Sequence, residues 1–452
     1  MVNKVTVPQS ALDAIDSSKG SKALFYMVAV VAVGAFADFY AFVSYNAAST
    51  GIIKNFHISG VLFSETVLAF SIGAVIGAIA WGYITDIFGR RRALVIDLIM
   101  MIVFIVGQAF SKNFTELFVF RLLVGLAIGG DFPASISLLT EFSPKAKRGS
   151  LISLFWIFLP FGGFVAWLMG YGLYLSLGFS LLEYKVLILT GIIPPLVGLV
   201  VRLKVPESPR WLLRNGKINE AVEIVRKNID PNFTIDISSY QNMPAEAKNI
   251  KKSRVIIPLI LLISIAAFLT NLLAGSEVGV SSIIYSAFGI VGVKTDLYTA
   301  ITVNLAFMIG ATITYFVIQR LGRFKTALIG GIISVIFDVS ILGVTKYPDA
   351  LLAFILITNI SINMFIPVVT VWSSEIFETS LRGKSIGFQA VGNRLSTGVG
   401  SYITASLLSV GALSAVFTVY PALILVAIIL GYIVYRMKGD LTNKTLYEAS
   451  RT

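Results

Sequence analysis

The chain contains no cysteine and a single histidine, His57, in 452 residues. The first absence excludes disulfides and thiolate metal sites, and the second leaves no imidazole pair to hold a metal ion. Charge is scarce as well. Only 13% of residues are Asp, Glu, Lys or Arg, against 56% apolar, roughly half the charged fraction of a soluble domain. A soluble chain of this length could not cover its surface with so few charges. No nucleophile paired with a general base is visible. Gly383-Lys384-Ser385 looks like the end of a phosphate-binding loop, but Glu378 stands where that loop needs glycine. These absences argue against an enzyme, an ATP-driven machine, and any metal or cofactor.

What is present is apolar sequence in long runs. Twelve are found, near 23–46, 62–84, 93–111, 116–140, 150–175, 186–202, 255–276, 297–318, 326–345, 350–374, 384–410 and 412–435. Runs of about 20 residues suffice to cross a hydrocarbon core of about 30 Å. The expected fold is an all-α membrane protein with twelve transmembrane helices. Cations fix the expected orientation: 29 of the 36 Lys and Arg fall in segments on one side, and five (Lys54, Lys112, Lys185, Lys294, Lys346) on the other. The cation-rich side is the cytoplasmic one, which puts both termini in the cytoplasm. The net charge of +12 is spread over loops, so it calls for no nucleic acid. No cleavable signal peptide is expected. The expected location is the cell membrane, as a multi-pass monomer.

The chain also repeats itself. Glu141, seven residues before Arg148-Gly149, returns as Glu375 before Arg382-Gly383, an offset of 234 (375 − 141). Gly89-Arg90 returns as Gly322-Arg323, and Pro133 as Pro367. Two copies of one membrane unit point to a transporter whose halves rock about a central site. The expected plan is a six-helix bundle over 1–202, a cytoplasmic linker over 203–254 with a surface helix at 217–227, and a second bundle with a short tail over 255–452.

The motifs carry a resemblance. Gly82 to Arg92, with Asp86, Gly89, Arg90 and Arg91, resembles the loop 2–3 signature of the major facilitator superfamily, and Gln319-Arg320-Leu-Gly322-Arg323 is a weaker copy. Ile87 and Gln319 depart from the family pattern, which has a cation and Asp there. Pro206-Glu207-Ser-Pro-Arg210-Trp-Leu212 is similar to the sugar-porter signature after span six, and Gly129-Gly-Asp131-Phe132-Pro133 resembles span four of phosphate:proton and organic-acid symporters. The resemblance implies a fold of two six-helix bundles. It also implies gating roles for Asp86, Gly89, Arg90, Arg91, Glu141, Arg148, Glu207, Arg210, Arg320, Arg323, Glu375 and Arg382, with Glu207 and Arg210 pairing against loop charges.

Ionisable groups inside spans are expensive and are functional candidates by default. At 1.5 Å per residue, Asp38 and Arg121 both come to about 21 Å up a core of about 30 Å. In sugar porters an acid in span one and an arginine in span four resemble this pair and switch with the proton; the alternative is a permanent structural ion pair. Asp131 is a proton relay, a binder of a cationic part of the substrate, or a structural carboxylate held by Ser or Thr. Asp97 is expected to face the loop cations. Arg394 either binds an anionic solute or pairs with Asp338 or Glu375. Asn271, Asn393, Phe132 and Glu277 complete the expected substrate site, with Glu277 alternatively a gate or a coupling acid, or at the outer surface. The halves differ where coupling and specificity are expected, with Asp38 opposite Asn271, Asp131 opposite Phe365, and Arg394 opposite Pro160.

The expected function is proton-coupled symport of a small polar solute: a sugar, an organic acid or a phosphate-like anion. A proton-independent facilitator or antiporter is the alternative. The antiporter pattern in span five survives only as Pro160-Phe-Gly162-Gly163, which favours symport. A non-transporting sensor is the remote alternative, disfavoured by the 16 residues after Arg436 (452 − 436).

Overall fold

A computed structural model describes residues 22–144, 146–228, 256–289, 298–377, 379–439 and 441. The stretch expected as flexible linker after Asp230 and the tail after Leu441 lie outside the described residues. The described residues are helical wherever they cross. Span one is Lys22–Ala47, span two Gly60–Phe88, span three Arg90–Ala109, span four Phe114–Phe142 and span five Arg148–Leu177. Span six runs over Leu181–Thr190 and Ile193–Leu203, span seven over Ile256–Gly279, and span eight over a π-helical turn, Ala300–Leu305, and Ala306–Leu321. Span nine is Arg323–Val344, span ten Pro348–Glu375, span eleven Thr379–Ser409 and span twelve Leu413–Lys438.

Eleven of these are long and apolar enough to cross a membrane. Span eleven is the longest, at 31 residues, yet falls short in hydropathy because it carries Arg382, Lys384, Gln389, Asn393 and Arg394. The polarity is inverted relative to a soluble protein. Ile257, Phe316 and Ile193 are 70%, 64% and 61% exposed, while Asp38, Arg121 and Asp131 are buried. Apolar groups outside and polar groups inside is what a lipid solvent selects.

Local chemistry sets the helix ends. Ser59 accepts a hydrogen bond from the Leu62 amide (3.2 Å) and opens span two. Asn113 accepts from the Glu116 amide (2.9 Å) while Glu116 reaches back to the Lys112 amide (2.8 Å), a reciprocal cap for span four. Gly89 and Gly322, at φ 95° and 86°, make the tight turns between spans two and three and between spans eight and nine, a conformation that disfavours any side chain. The repeat read from the sequence is thus a repeat of backbone geometry. Shorter helices follow span one (Ser49–Phe56) and span seven (Ser281–Ala287). After span six come Pro209–Arg214 and Ile218–Asn228.

Spans two and four pack backbone on backbone. Gly73 and Gly77 lie on the carbonyls of Leu122 and Leu126, and Gly125 and Gly129 lie on those of Phe70 and Ala74. Four-residue spacing keeps both glycines of each helix on one face, the small-residue logic of helix association in lipid. A leucine at Gly125 has nowhere to go. We expect Gly125→Leu to cost at least about 1–3 kcal/mol, the usual range for overpacking. Gly172, which has open space around it, should tolerate alanine. Thermal unfolding in detergent of the two variants checks the contrast.

The two six-helix halves touch on both sides of a central cavity. Near the Gly89 and Gly322 turns, Ser150 Oγ donates to the Tyr315 carbonyl (2.7 Å). Toward the opposite end, Asn46 Nδ2 donates to the Val278 carbonyl (3.2 Å).

Candidate functional site

The cavity spans about 740 Å³ of non-atom space, including its opening to solvent. Its walls are aromatic: Phe39 and Phe42 from span one, Phe70 from span two, Phe132 from span four, Phe155 and Trp156 from span five, and Phe307 from span eight. Phe132 packs edge-on against Phe155 with centroids 4.8 Å apart. Trp156 Nε1 donates to Thr370 Oγ1 (3.0 Å), fixing the indole across the two halves. Polar groups enter mainly from spans seven and eleven. Asn271 Nδ2 donates to Asn393 Oδ1 (2.9 Å), and Gly275 presses against Thr397, so these helices come close enough for the pair to form. Arg394 is the only charged side chain among the described residues lining the cavity. Of the expected substrate residues, Arg394, Asn271, Asn393 and Phe132 therefore converge.

Glu277 does not join them. It is buried, 4% exposed, and turns away from the cavity toward Asn359 and Asp338. Neither the substrate-site reading nor the outer-surface reading describes it. A span presents all its faces to one sequence, and depth alone does not tell which face meets the cavity.

Asp38 and Arg121 are also separate. The Asp38 carboxylate lies 4.0 Å from Arg394 Nη2, with neither oxygen in a hydrogen bond. Arg121 instead sits among rings, 4.1 Å from the centroid of Tyr45, 4.5 Å from Phe70 and 5.2 Å from Phe42. Its Nη2 donates to the Phe42 carbonyl (3.1 Å), and among the described residues it has no carboxylate partner. Cation–π attraction from three rings takes the place of an anion. Phe42 and Tyr45 lie four and seven residues past Asp38, about 6–10 Å along the helix, which accounts for the missed pairing. Arg394 therefore pairs with neither Asp338 nor Glu375.

Behind the cavity lies a cluster that hydropathy conceals. Arg202, counted among loop cations because it ends an apolar run, is 1% exposed. Its Nη1 meets Asp97 Oδ1 at 2.8 Å, and its Nη2 meets Asp131 Oδ1. Asp131 also accepts from Ser135 Oγ (3.0 Å). Asp97 thus faces span six and not the loop cations. Gly34 of span one makes room, since a methyl group there would collide with Asp131 Oδ2 and Arg202 Nη2. Asp38 is within electrostatic reach of Asp131, Asp97 and Arg202. The available signal was an arginine closing span six beside an aspartate opening span three.

The repeated motifs sit at one end of the bundles. Arg148 Nη2 donates to the Ser143 carbonyl (3.1 Å), and Arg382 Nε donates to the Ser374 carbonyl (2.8 Å). Each repeat arginine thus satisfies carbonyls ending the preceding span, where a cation also suits the helix dipole. Arg323 holds Glu375 bidentately at 2.9 and 3.2 Å and donates to Gln319 Oε1 at 3.0 Å. Gln319 thereby supplies the acceptor that the family pattern places there as Asp. Arg320 is exposed. Glu207 is held by backbone amides as well as by the nearby Arg90 charge. It accepts from the amides of Arg90 (3.0 Å) and Arg91 (3.2 Å), capping span three, while Arg91 Nη2 donates to the Leu203 carbonyl (2.6 Å). Burial holds the Glu207 carboxyl above the ordinary carboxylate range, opposed by the amides of Ser208, Arg90 and Arg91. The side chains of Asp86, Glu141 and Arg210 lie outside the described residues.

Twelve spans in two pseudo-symmetric bundles around a central, mostly aromatic cavity define a secondary transporter of the major facilitator fold. The profile of the family described as "Sugar (and other) transporter" matches residues 20–450, and the chain belongs to that family. It is a membrane transporter, not an enzyme. An arabinose-proton symporter of Bacillus subtilis (strain 168) is 26% identical over 367 residues, covering 76% of this chain and 77% of that protein. YaaU of Escherichia coli (strain K12), named for metabolite transport, is 38% identical over 155 residues, 34% of each chain. The solved structure of the proton:xylose symporter XylE bound to 6-bromo-6-deoxy-D-glucose superposes with a TM-score of 0.81 at 21% identity. That match covers 95% of this chain and 98% of XylE, and it bears on the fold.

Proposed function

We propose that this chain is a proton-coupled symporter of a small polar solute, with Asp38 as the proton acceptor and Arg394 as the group that senses it. One observation carries the proposal: a buried carboxylate without a hydrogen bond stands 4.0 Å from the only charged group of the described cavity wall. Asp38, Asp97 and Asp131 are three acids served by two guanidiniums, Arg202 and Arg394. Fully ionised, the group is one negative charge in excess in a low-dielectric interior, and one proton balances it. Arg202 is engaged by Asp97 and Asp131, so the proton belongs on Asp38. Protonating Asp38 frees Arg394 to donate to the solute, and solute on Arg394 in turn favours a neutral Asp38. This reciprocal preference is the thermodynamic core of symport. Arg121 holds the outer part of span four against spans one and two, and Asp131 is a structural neighbour that keeps Arg202 away from Asp38.

The solute is a sugar or a sugar-like polar molecule. Flat aromatic walls suit the apolar faces of a sugar ring, and Asn271, Asn393, Ser71 and Thr397 offer hydrogen bonds to hydroxyls. The arabinose-proton symporter among the relatives supports the same substrate class. A thermal-shift screen of pentoses, hexoses, sugar acids and phosphate tests it. We expect stabilisation by a neutral sugar that survives, weakened, in Arg394→Gln. Stabilisation by anions alone, lost in that variant, would assign the site to an acid instead.

The cation distribution supports placement in the cell membrane with both termini and the Gly89 and Gly322 turns in the cytoplasm, the bundles covering 1–202 and 255–452 and the linker 203–254. The absence of cysteine makes this easy to check. Lys346→Cys should react with an impermeant maleimide added to intact cells, and Lys227→Cys should react only after permeabilisation. The reverse pattern would invert the topology.

A further inference from the structure

The C-terminal bundle holds a pair of acids that the mechanism above does not use. Glu277 ends span seven and Asp338 lies within span nine, 4% and 0% exposed, and they lie within electrostatic reach of each other. Their surroundings are oxygen-rich and neutral. Asn359 on span ten donates to Glu277 and also to the Thr302 carbonyl (3.1 Å). Ser334 Oγ donates to Asp338 Oδ2 (3.2 Å). Tyr285, which shares a hydrogen bond with Thr302, is the other titratable group facing Glu277. Among the described residues no Lys, Arg or His pairs with either acid. Glu277 Oε2 and Asp338 Oδ1 have no hydrogen-bond partner, and the Thr358 hydroxyl on span ten also faces the Asp338 carboxylate.

Two buried carboxylates within reach of each other are poorly placed to stay ionised together without a cation, because the neutral hydrogen bonds from Asn359 and Ser334 offset only part of each desolvation cost. Contrast this with Asp97 and Asp131, which share a guanidinium. We propose that Glu277 and Asp338 form a second proton-binding site, separate from the substrate cavity and from Asp38. The step is simple acid–base chemistry: a carboxylate oxygen takes a proton from water, and the unpaired Oε2 and Oδ1 are the atoms free to receive it.

The site lies on the seam that closes the cavity away from the Gly89 and Gly322 turns. Val278, next to Glu277, lines the cavity and accepts from Asn46 of span one. Gly279 presses on Ser401 of span eleven, and the helix breaks at Val280. With Glu277 neutral, this end of span seven stays buried against span one. An ionised Glu277 demands water, and water reaches it only when that seam parts.

Infrared difference spectroscopy of the full-length protein in lipid nanodiscs, without solute, tests the proposal by pH titration with and without sodium chloride. The wild type is expected to show a protonated-carboxyl stretch at neutral pH, with a component lost in Glu277→Gln and in Asp338→Asn. That component should persist in Asp38→Asn, which removes a different one, so failure at either site is seen separately. Both substitutions are near-isosteric, and the sodium arm needs no variant. An unchanged spectrum in both variants overturns the proposal. So does a wild-type band that sodium abolishes, because the pair would then hold sodium and not a proton.

Discussion

Asp38→Asn is expected to abolish accumulation of solute against its gradient while leaving exchange of solute across the membrane intact. The size of the loss follows from the driving force. One proton moving through about 100 mV is worth about 2.3 kcal/mol, enough for a roughly fifty-fold gradient. Asparagine keeps the shape of the side chain and removes the proton site, so the gradient should fall to one-fold. Arg394 then stays unpaired, as it is when Asp38 is protonated, and the cavity remains able to bind and release solute. Uptake and counterflow in proteoliposomes separate the two quantities. A variant that still accumulates solute would remove Asp38 from coupling and turn attention to Glu277 and Asp338. A variant that loses counterflow as well would make Asp38 part of solute binding.

The second large effect belongs to Arg202. It is buried with a carboxylate on each side, Asp97 and Asp131. Arg202→Leu strands both acids in the bundle interior, and breaking a buried pair by removing one partner costs about 3–5 kcal/mol. Whole-protein stabilities are about 5–15 kcal/mol, so little folded protein should be recovered. Arg202→Lys keeps the charge but loses the fork that reaches two acids at once, and should fall between. Restoring neutrality by combining Arg202→Leu with Asp97→Asn and Asp131→Asn should recover most of the loss, because the penalty lies in the unpaired charge and not in a missing shape. Fluorescence-detected size exclusion after heating reads all three. Wild-type stability in Arg202→Leu alone would mean that Asp97 and Asp131 do not carry charge.

Much of the fold was legible because lipid writes a coarse, strong signal. All twelve expected runs correspond to spans, and the repeated Gly-Arg and Arg-Gly pairs reappear as the same turns and caps in each half. Depth was legible only coarsely: 1.5 Å per residue put Asp38 and Arg121 at one level, whereas Arg121 sits beside Phe42 and Tyr45, one to two turns past Asp38. Direction around the helix axis was not. Asp38 faces span eleven, whereas Arg121 faces the rings of spans one and two. Pairs that form only when the two halves dock, such as Asp38 with Arg394, have no local signature. Arg202 was hidden for another reason. A cation at the end of an apolar run looks like a loop residue unless the neighbouring spans are known to bring acids to the same depth. Glu277 shows the same limit from the other side, since a charge inside a span announces a function without saying which cavity or neighbour it serves.

The central claim is that solute and proton cross together because Asp38 and Arg394 release each other. The most direct test adds solute to wild-type proteoliposomes with no initial pH or voltage difference and records external pH. The account predicts alkalinisation outside as solute enters with protons, and silence in Asp38→Asn despite continuing counterflow. Solute entry in the wild type with no change in external pH would contradict it.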